Sequence, residues 1–428
     1  MSSHSSSLPD APPLDLSRFR KVPNVLIVVG AIGAIAGAAW DIKQFGYAWL
    51  VAFMFFLSIC LGSLFLVLVH HLFDAGWSVP IRRFAEQIAT CVFPYMAIFF
   101  IPIALLAPKL YPWMSADPHA DHALHAKQPL FTMAGFYIVS AFCLAVWWML
   151  SNRLRYWSLE QDKTGSAHCT YRMRFFSYIG IFLFAISLTL GAIMWMKALT
   201  HQWFSTMYGV YYFAGSVWTT LGTFYFITMA LKRNGMLRAV LHEHQFYFLG
   251  SLLFAFTVFY AYIHFFQYFI IWNANLPEET FWYLKREAGT WRYVGYTILF
   301  GHFLIPFLAL LRIDKKLTFS WMAPICVWTW VMHYVDMTFN IKPPVASPEG
   351  FSFGTVWLDW ACMALIGGVL MKAAVARFLA HPPYPLKDPR MAEAMGQYHP
   401  VACAISGGEM DETDDLADSA PAGNGGSK

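Results

Sequence analysis

LLFAFTVFYAYIHFFQYFIIW, residues 252–272, contains no Asp, Glu, Lys or Arg. As a helix rising 1.5 Å per residue it crosses a hydrocarbon core of about 30 Å. Its polar groups fall together: Tyr260, His264 and Tyr268 succeed one another at four-residue steps, and Gln267 lies three beyond His264 on nearly the same face.

Working outward, apolar windows of sufficient length occur at roughly 24–40, 46–70, 88–107, 130–150, 175–197, 208–231, 246–272, 294–311, 319–336 and 355–373. The expected fold class is an all-α integral membrane protein of ten transmembrane helices, with a membrane domain over 24–380. A polar segment, 1–23, precedes it, and a tail, 381–428, follows, Pro-rich and then acidic and Gly-rich, with disorder expected at its end. Composition agrees: 58% of the 428 residues are hydrophobic and 13% charged, against roughly 25% charged in a soluble domain. Mean hydropathy is +0.48. The Pro- and Ser-rich start is too long for the positive region of a secretory signal, so retention of the amino terminus is expected.

The net charge of +4 is a matter of topology and gives no nucleic-acid footprint. Alternate loops receive about 21 and about eight of the Lys and Arg residues. The richer side holds both termini, which places both in the cytoplasm. Trp40, Trp49, Trp113, Trp203, Trp272, Trp282 and Trp291 crowd the other side, as an interfacial belt requires. The seven cysteines form no CxxC or CxxCH pattern, which removes covalent haem c, iron–sulfur ligation and a disulfide framework. No fixed-period repeat is legible.

Ionisable side chains at membrane depth are costly and so point to function. An inner grouping, HHLFDAGWSVPIRRFAE, brings His70, His71, Asp74, Arg82, Arg83 and Glu86 to the cytoplasmic turn between spans two and three. His70 and Asp74 are four apart, as are Arg82 and Glu86, and each pair shares a helical face if the helix continues. The turn suits proton collection, or equally an ion-paired anchor whose arginines hold lipid phosphates or a partner subunit. An outer grouping spreads over spans seven to ten: Tyr260, His264, Gln267 and Tyr268, then His302, then His333 and Asp336, then Asp359. If those helices are neighbours, imidazole and carboxylate converge into a proton path or, through His264, Gln267 and His333, a quinone headgroup site. Taken singly, each is more often a satisfied interhelical hydrogen bond. One deep histidine per span leaves one bis-His haem geometrically open, while the expected reading is a chain with no metal and no cofactor of its own. Hydroxyls between the groupings, among them Thr90, Thr220, Thr223 and Thr257, bond to their own helices or support water. Pro94, Pro102 and Pro306 should kink their spans.

Taken together, HLFDAGWSVPIRRFAEQIA, YYFAGSVWTTL, LLFAFTVFYAYIHFFQYFIIWNANLPEETFWYLKR and HYVDM resemble one family. The chain is similar, from about Asn24 to Ala380, to the F subunit of alternative complex III, a quinol:electron-acceptor oxidoreductase of bacterial respiratory membranes, within the polysulfide-reductase membrane-subunit superfamily. The resemblance implies two pseudo-symmetric four-helix bundles, spans two to five and six to nine, flanked by spans one and ten. It implies a home in the bacterial inner membrane and, as partners, a paralogous C-type membrane subunit, an iron–sulfur subunit, haem-c subunits, a terminal oxidase and lipids. Haem c and the clusters would reside in those partners, and quinol would be the substrate of the complex. In that superfamily the quinol site is expected in the outer half of the first bundle, where this chain offers Tyr47, Tyr95 and Thr132, with Lys197 at the edge, but no deep histidine or carboxylate to take quinol protons. The expected role is therefore structural and proton-conducting, with quinone binding the alternative. A stand-alone secondary transporter is a third reading, for which paired helix breaks are not evident.

Overall fold

The structure is a computed structural model that describes residues 21–395 apart from 118, 120, 129, 236, 239 and 346–349. The amino-terminal segment up to residue 20 and the tail beyond 395, where disorder is expected, lie outside the described residues.

The chain begins with α1, Val22–Trp40, and reverses at a single residue, Asp41. The Asp41 carboxylate accepts from the backbone N–H groups of Lys43 and Gln44 at 2.8 and 3.1 Å, capping α2, Ile42–Leu72. A break at Pro94 then divides one span into α3, Val79–Ala89, and α4, Tyr95–Leu110. After short α5, His122–Ala126, come α6, Met133–Thr164, and α7, Ala167–Trp195. They are joined by Gly165 at φ +67° and by Ser166, whose hydroxyl accepts from His168 N–H at 3.2 Å. The second half holds α8, Tyr208–Arg233, α9, Glu243–Ala274, and α10, Pro277–Glu287. It continues through α11, Trp291–Thr297, α12, Ile305–Ala309, α13, Ile313–Leu317, α14, Phe319–Ile341, α15, Val356–Ala380, and α16, Met391–Ala394.

Seven of these segments are long and apolar enough to cross a membrane: α1, α2, α3 with α4, α6, α7, α9 and α15. Rows such as Val25, Val28, Ile32 and Ile35 on α1 and Phe265, Phe269 and Trp272 on α9 face outward, a surface that lipid accepts and water does not. The chain is an all-α, multi-pass membrane protein. Two further helices, α8 and α14, have 26 and 23 residues, long enough for about 30 Å but more polar, because they bring Tyr, Thr, His, Asp and Asn into the interior. Between α11 and α12 the chain winds as a π-helix, Ile298–Leu304. Pro306, four residues past His302, lacks an N–H and crowds the His302 carbonyl, so the regular ladder cannot continue there.

The centre is α2, of whose apolar window 78% is buried against 22% for α1. It packs on α3, α4, α7, α8, α14 and α15. Close approach comes from small residues, since lipid gives helices no hydrophobic push towards one another. A Cβ on Gly62 would meet Thr220 Oγ1 of α8 at 2.2 Å, and one on Gly30 would meet Leu365 N of α15 at 2.3 Å. The second contact holds α1 onto α15.

The expected Trp belt is corrected. Trp40 and Trp272 are exposed, but Trp49, Trp113, Trp203, Trp282 and Trp291 are buried. Loops and short helices cover that end of the bundle, and Trp203 stacks on Trp282 with ring centroids 4.4 Å apart.

Candidate functional site

The outer grouping converges on Asp336. This carboxylate on α14 is 1% exposed and forms no ion pair among the described residues. Neutral dipoles hold it: Tyr211 of α8 donates its hydroxyl, and the Asn340 amide, one turn on, donates at 3.1 Å. The network extends from Asn340 to the Tyr211 oxygen at 3.1 Å, from the Tyr208 hydroxyl to Asn340 Oδ1 at 3.0 Å, and between the Tyr211 and Tyr260 hydroxyls at 3.0 Å. Burying a charge without a counter-ion costs far more than burying hydrogen-bonded dipoles, so this is a group that gains by taking up a proton.

Two histidines complete the site. His302, in the π segment, is fully buried between the rings of Trp218 and Tyr260, at centroid distances of 3.8 and 3.6 Å, and both its nitrogens lack a partner among the described residues. His333, on α14, is fully buried and meets the Ser58 hydroxyl of α2 through Nε2 at 2.9 Å, while its Nδ1 is unpartnered among the described residues. One atom each of His302, His333 and Asp336 lies within 4.8 Å of the others. Gly215 of α8 opens the space beside them, since a Cβ there would stand 3.4 Å from His333 and 3.7 Å from Asp336 Oδ2. Three ligands is the count a catalytic zinc uses, and this trio is the candidate metal site of the described residues. Its hydrogen bonding suits a proton better, because Asp336 and His333 each already share theirs with hydroxyls.

The remaining outer residues separate. His264 is half-buried against the rings of Tyr211 and Tyr260, 5.4 and 5.8 Å away. Gln267 bonds the Tyr283 hydroxyl at 3.0 Å and the Ser205 hydroxyl at 2.9 Å, and Tyr268 reaches Glu287 at 3.2 Å, so both belong to the contact with the α10 region. Asp359 is buried against α14, held by Lys342 Nζ at 2.5 Å and Tyr334 Oη at 2.7 Å. Above the network Arg286 of α10, 2% exposed, donates to the carbonyls of Phe339 and Asn340 at 2.9 and 3.1 Å, where α14 leaves its last acceptors free. Burial pushes its pKa down to about 9.

Four members of the inner grouping, Asp74, Arg82, Arg83 and Glu86, form ion pairs. Arg82 pairs with Glu86 at 3.0 Å, one turn apart as expected, and with Asp388 at 2.5 Å. Arg83 reaches Asp162 of α6 at 2.5 Å and Glu86 at 3.7 Å. The expected shared face of His70 and Asp74 is corrected: α2 ends at Leu72, and Asp74 turns away at φ +55° to pair with Arg174, at 2.5 Å, and Arg390. His70 faces Ser78 through Nδ1 at 2.7 Å and two guanidinium groups, Arg82 and Arg390, through Nε2 at 3.3 and 3.2 Å. Two cations facing Nε2 require it to accept, so the proton sits on Nδ1 and the ring is locked neutral. His71, 1% exposed, has both nitrogens unpartnered among the described residues. Burial alone would raise the Asp388 carboxyl, but Arg82 and Arg390 beside it hold it below the usual carboxylate range. The first part of the tail is thereby pinned to the bundle, helped by Leu386 N–H on Asp162 at 2.9 Å and Gln245 on the Ala394 carbonyl at 2.9 Å.

Between the groupings, Thr220, Thr223 and Thr257 donate to carbonyls one turn back in their own helices, each at 2.8 Å. Thr257 and Thr223 also accept from the indoles of Trp218 and Trp330 at 2.8 Å. Where the resemblance places a quinol site, Tyr47 of α2 donates to the Leu110 carbonyl at 3.1 Å. Lys197 there is buried beside Lys127, with a pKa pushed down to about 7 by burial and then by that neighbouring charge.

No protein-family model matches this chain, and no curated protein does. Sequence reasoning missed Tyr211, Asn340, Ser58 and Trp218 at the outer site and Asp162, Asp388 and Arg390 at the inner. Asn340 carried a signal, one turn from Asp336. Tyr211 and Asp388 lie 125 and 306 residues from the groups they serve.

Proposed function

We propose that this chain is the F-type membrane subunit of an alternative complex III, a ten-span protein of the bacterial inner membrane with both termini in the cytoplasm. Its role is structural and proton-conducting. The single observation that carries the proton role is Asp336: a carboxylate among α8, α9 and α14 that has no counter-ion among the described residues, is bonded to tyrosine hydroxyls and stands beside two histidines with nitrogens unpartnered among those residues. Tyr211 and Tyr260 form a hydroxyl chain that can pass a proton to or from it, and His333 and Ser58 extend the polar row to α2.

Support for the ten spans comes from the lengths of α8 and α14 and from the segmented helix Trp291–Ala309, added to the seven apolar ones. In this reading two four-helix bundles meet along α2 and α8. Quinol, haem c and iron–sulfur chemistry belong to partner subunits, with a paralogous C-type chain, lipids and a terminal oxidase as neighbours. The quinone alternative is weakened by Gln267, whose amide is bonded on both sides, and a stand-alone transporter has no specific observation in its favour.

The test is made on the whole complex. Asp336→Asn is expected to lower protons released per electron while the haem spectra and the co-purifying iron–sulfur and haem-c subunits remain. Unchanged stoichiometry removes the proton role, and a chain that purifies alone and drives solute flux in liposomes removes the assignment itself.

A further inference from the structure

Around α3 the inner end gathers Arg82, Arg83, Arg155, Arg174, Arg377 and Arg390 with the carboxylates of Asp74, Glu86, Asp162, Asp388 and Glu393. Four of the arginines form ion pairs with those acids. The two left over, Arg155 of α6 and Arg377 of α15, form no ion pair among the described residues, and they line the same cavity of about 210 Å³.

That cavity lies where α3 breaks from α4. Arg155 is 9% exposed and its Nη1 has no partner among the described residues. Arg377 donates through Nη1 to the Gln87 carbonyl at 3.2 Å and the Thr90 hydroxyl at 2.9 Å, bonds that orient the guanidinium without neutralising it. Ser151 and Asn152 add polar groups to the wall. On its flank stand Phe93 and Trp148, 47% and 46% exposed, with ring centroids 5.3 Å apart. From there the apolar outer row of α4, including Ile98, Ile101 and Leu105, runs along the span.

From this arrangement we infer that the cavity binds the phosphate headgroup of an anionic phospholipid, its acyl chains lying on the α4 face. Two arginines that form no ion pair among the described residues, Arg155 having only the more distant charge of Glu86, match a phosphate with forked N–H groups. The volume is below the roughly 300–1,000 Å³ that encloses a whole drug-sized ligand, and fits a headgroup whose remainder lies outside. A basic pocket between helices at the membrane surface, rimmed by Trp and an apolar row, points to lipid as the source of that phosphate. The site needs only that the chain sits in a bilayer and stands apart from the proton reading.

The protein, stripped of lipid in detergent, is titrated with phosphatidylglycerol, phosphatidylcholine and inorganic phosphate, reading adducts by native mass spectrometry and the shift in melting temperature. Phosphatidylglycerol is expected to bind about tenfold more tightly than phosphatidylcholine, whose phosphate is the same but whose quaternary ammonium brings a further positive charge beside the two guanidinium groups. The Arg155→Gln, Arg377→Gln double variant should bind the two alike. Equal binding of both lipids by the native chain overturns the proposal, as does undiminished preference in the double variant. Inorganic phosphate that matches the lipid's effect overturns the lipid assignment in favour of a soluble anion. Should the double variant fail to fold, Arg377→Lys keeps the charge and loses the fork. It should weaken phosphatidylglycerol about threefold, and unchanged affinity there counts against the site.

Discussion

The inner and outer groupings are built from the same residue types and solve opposite problems. At the inner end carboxylates meet guanidinium groups: Arg82 joins Glu86 and Asp388, Arg83 joins Asp162, and Asp74 joins Arg174 and Arg390. At the outer site Asp336 meets, among the described residues, only hydroxyls and an amide, with two imidazoles close by. A paired carboxylate keeps its charge and serves as an anchor; an uncompensated one exchanges its proton readily. The sequence allowed either grouping a part in proton transfer, and the pairing separates them: the inner one latches residues 381–395, and the outer one holds the carboxylate on which the proposed proton role rests.

The largest expected effect tests the latch. Arg82→Ala leaves Asp388 and Glu86 short of a buried partner and should cost about 3–5 kcal/mol. Thermal melting measures it, together with protease cleavage within residues 381–395, and a loss under about 1 kcal/mol would erase the distinction drawn between the two regions. At the outer site Asp336→Leu strips acceptors from Tyr211 and Asn340 and should cost about 1–3 kcal/mol, whereas Asp336→Asn, which keeps an oxygen for Tyr211, should cost under about 1 kcal/mol. Equal losses in the two variants would mean that charge, and not hydrogen bonding, holds that carboxyl.

A smaller effect follows from pH. The Asp388 carboxyl is depressed in the folded chain, so its contribution is complete above the unfolded value of about 3.9 and fades as pH falls through the folded value. Protease sensitivity of the 381–395 segment should therefore be flat from pH 5 to 8 and rise only in stronger acid; a rise near pH 6 would implicate a histidine instead. Smallest of all, His264→Phe keeps the ring contacts with Tyr211 and Tyr260 and should change stability by less than about 0.5 kcal/mol. A marked loss of proton release in that variant would extend the path beyond Tyr260.

Much of the fold was legible because membrane helices announce themselves locally. Windows such as 252–272 need no knowledge of their neighbours, and Asp41, Gly165 and Pro306 punctuate the chain by rules that act over a few residues. The sites were half legible. His302, His333 and Asp336 stood out as costly groups at depth, and Arg82 with Glu86 as a helical pair. Asp74 was misread because its reach depended on where α2 stops, and the Trp belt because exposure depends on what covers a helix end.

By itself, then, the sequence determined that the chain lies in a membrane as a bundle of helices, and which side chains are too polar for that depth. Only the tertiary structure decided which of them share a site. Hydropathy and helix periodicity are properties of a segment, whereas a carboxylate's partner is whichever residue the packing of α2, α8 and α14 brings within 3 Å or so, from anywhere in the chain.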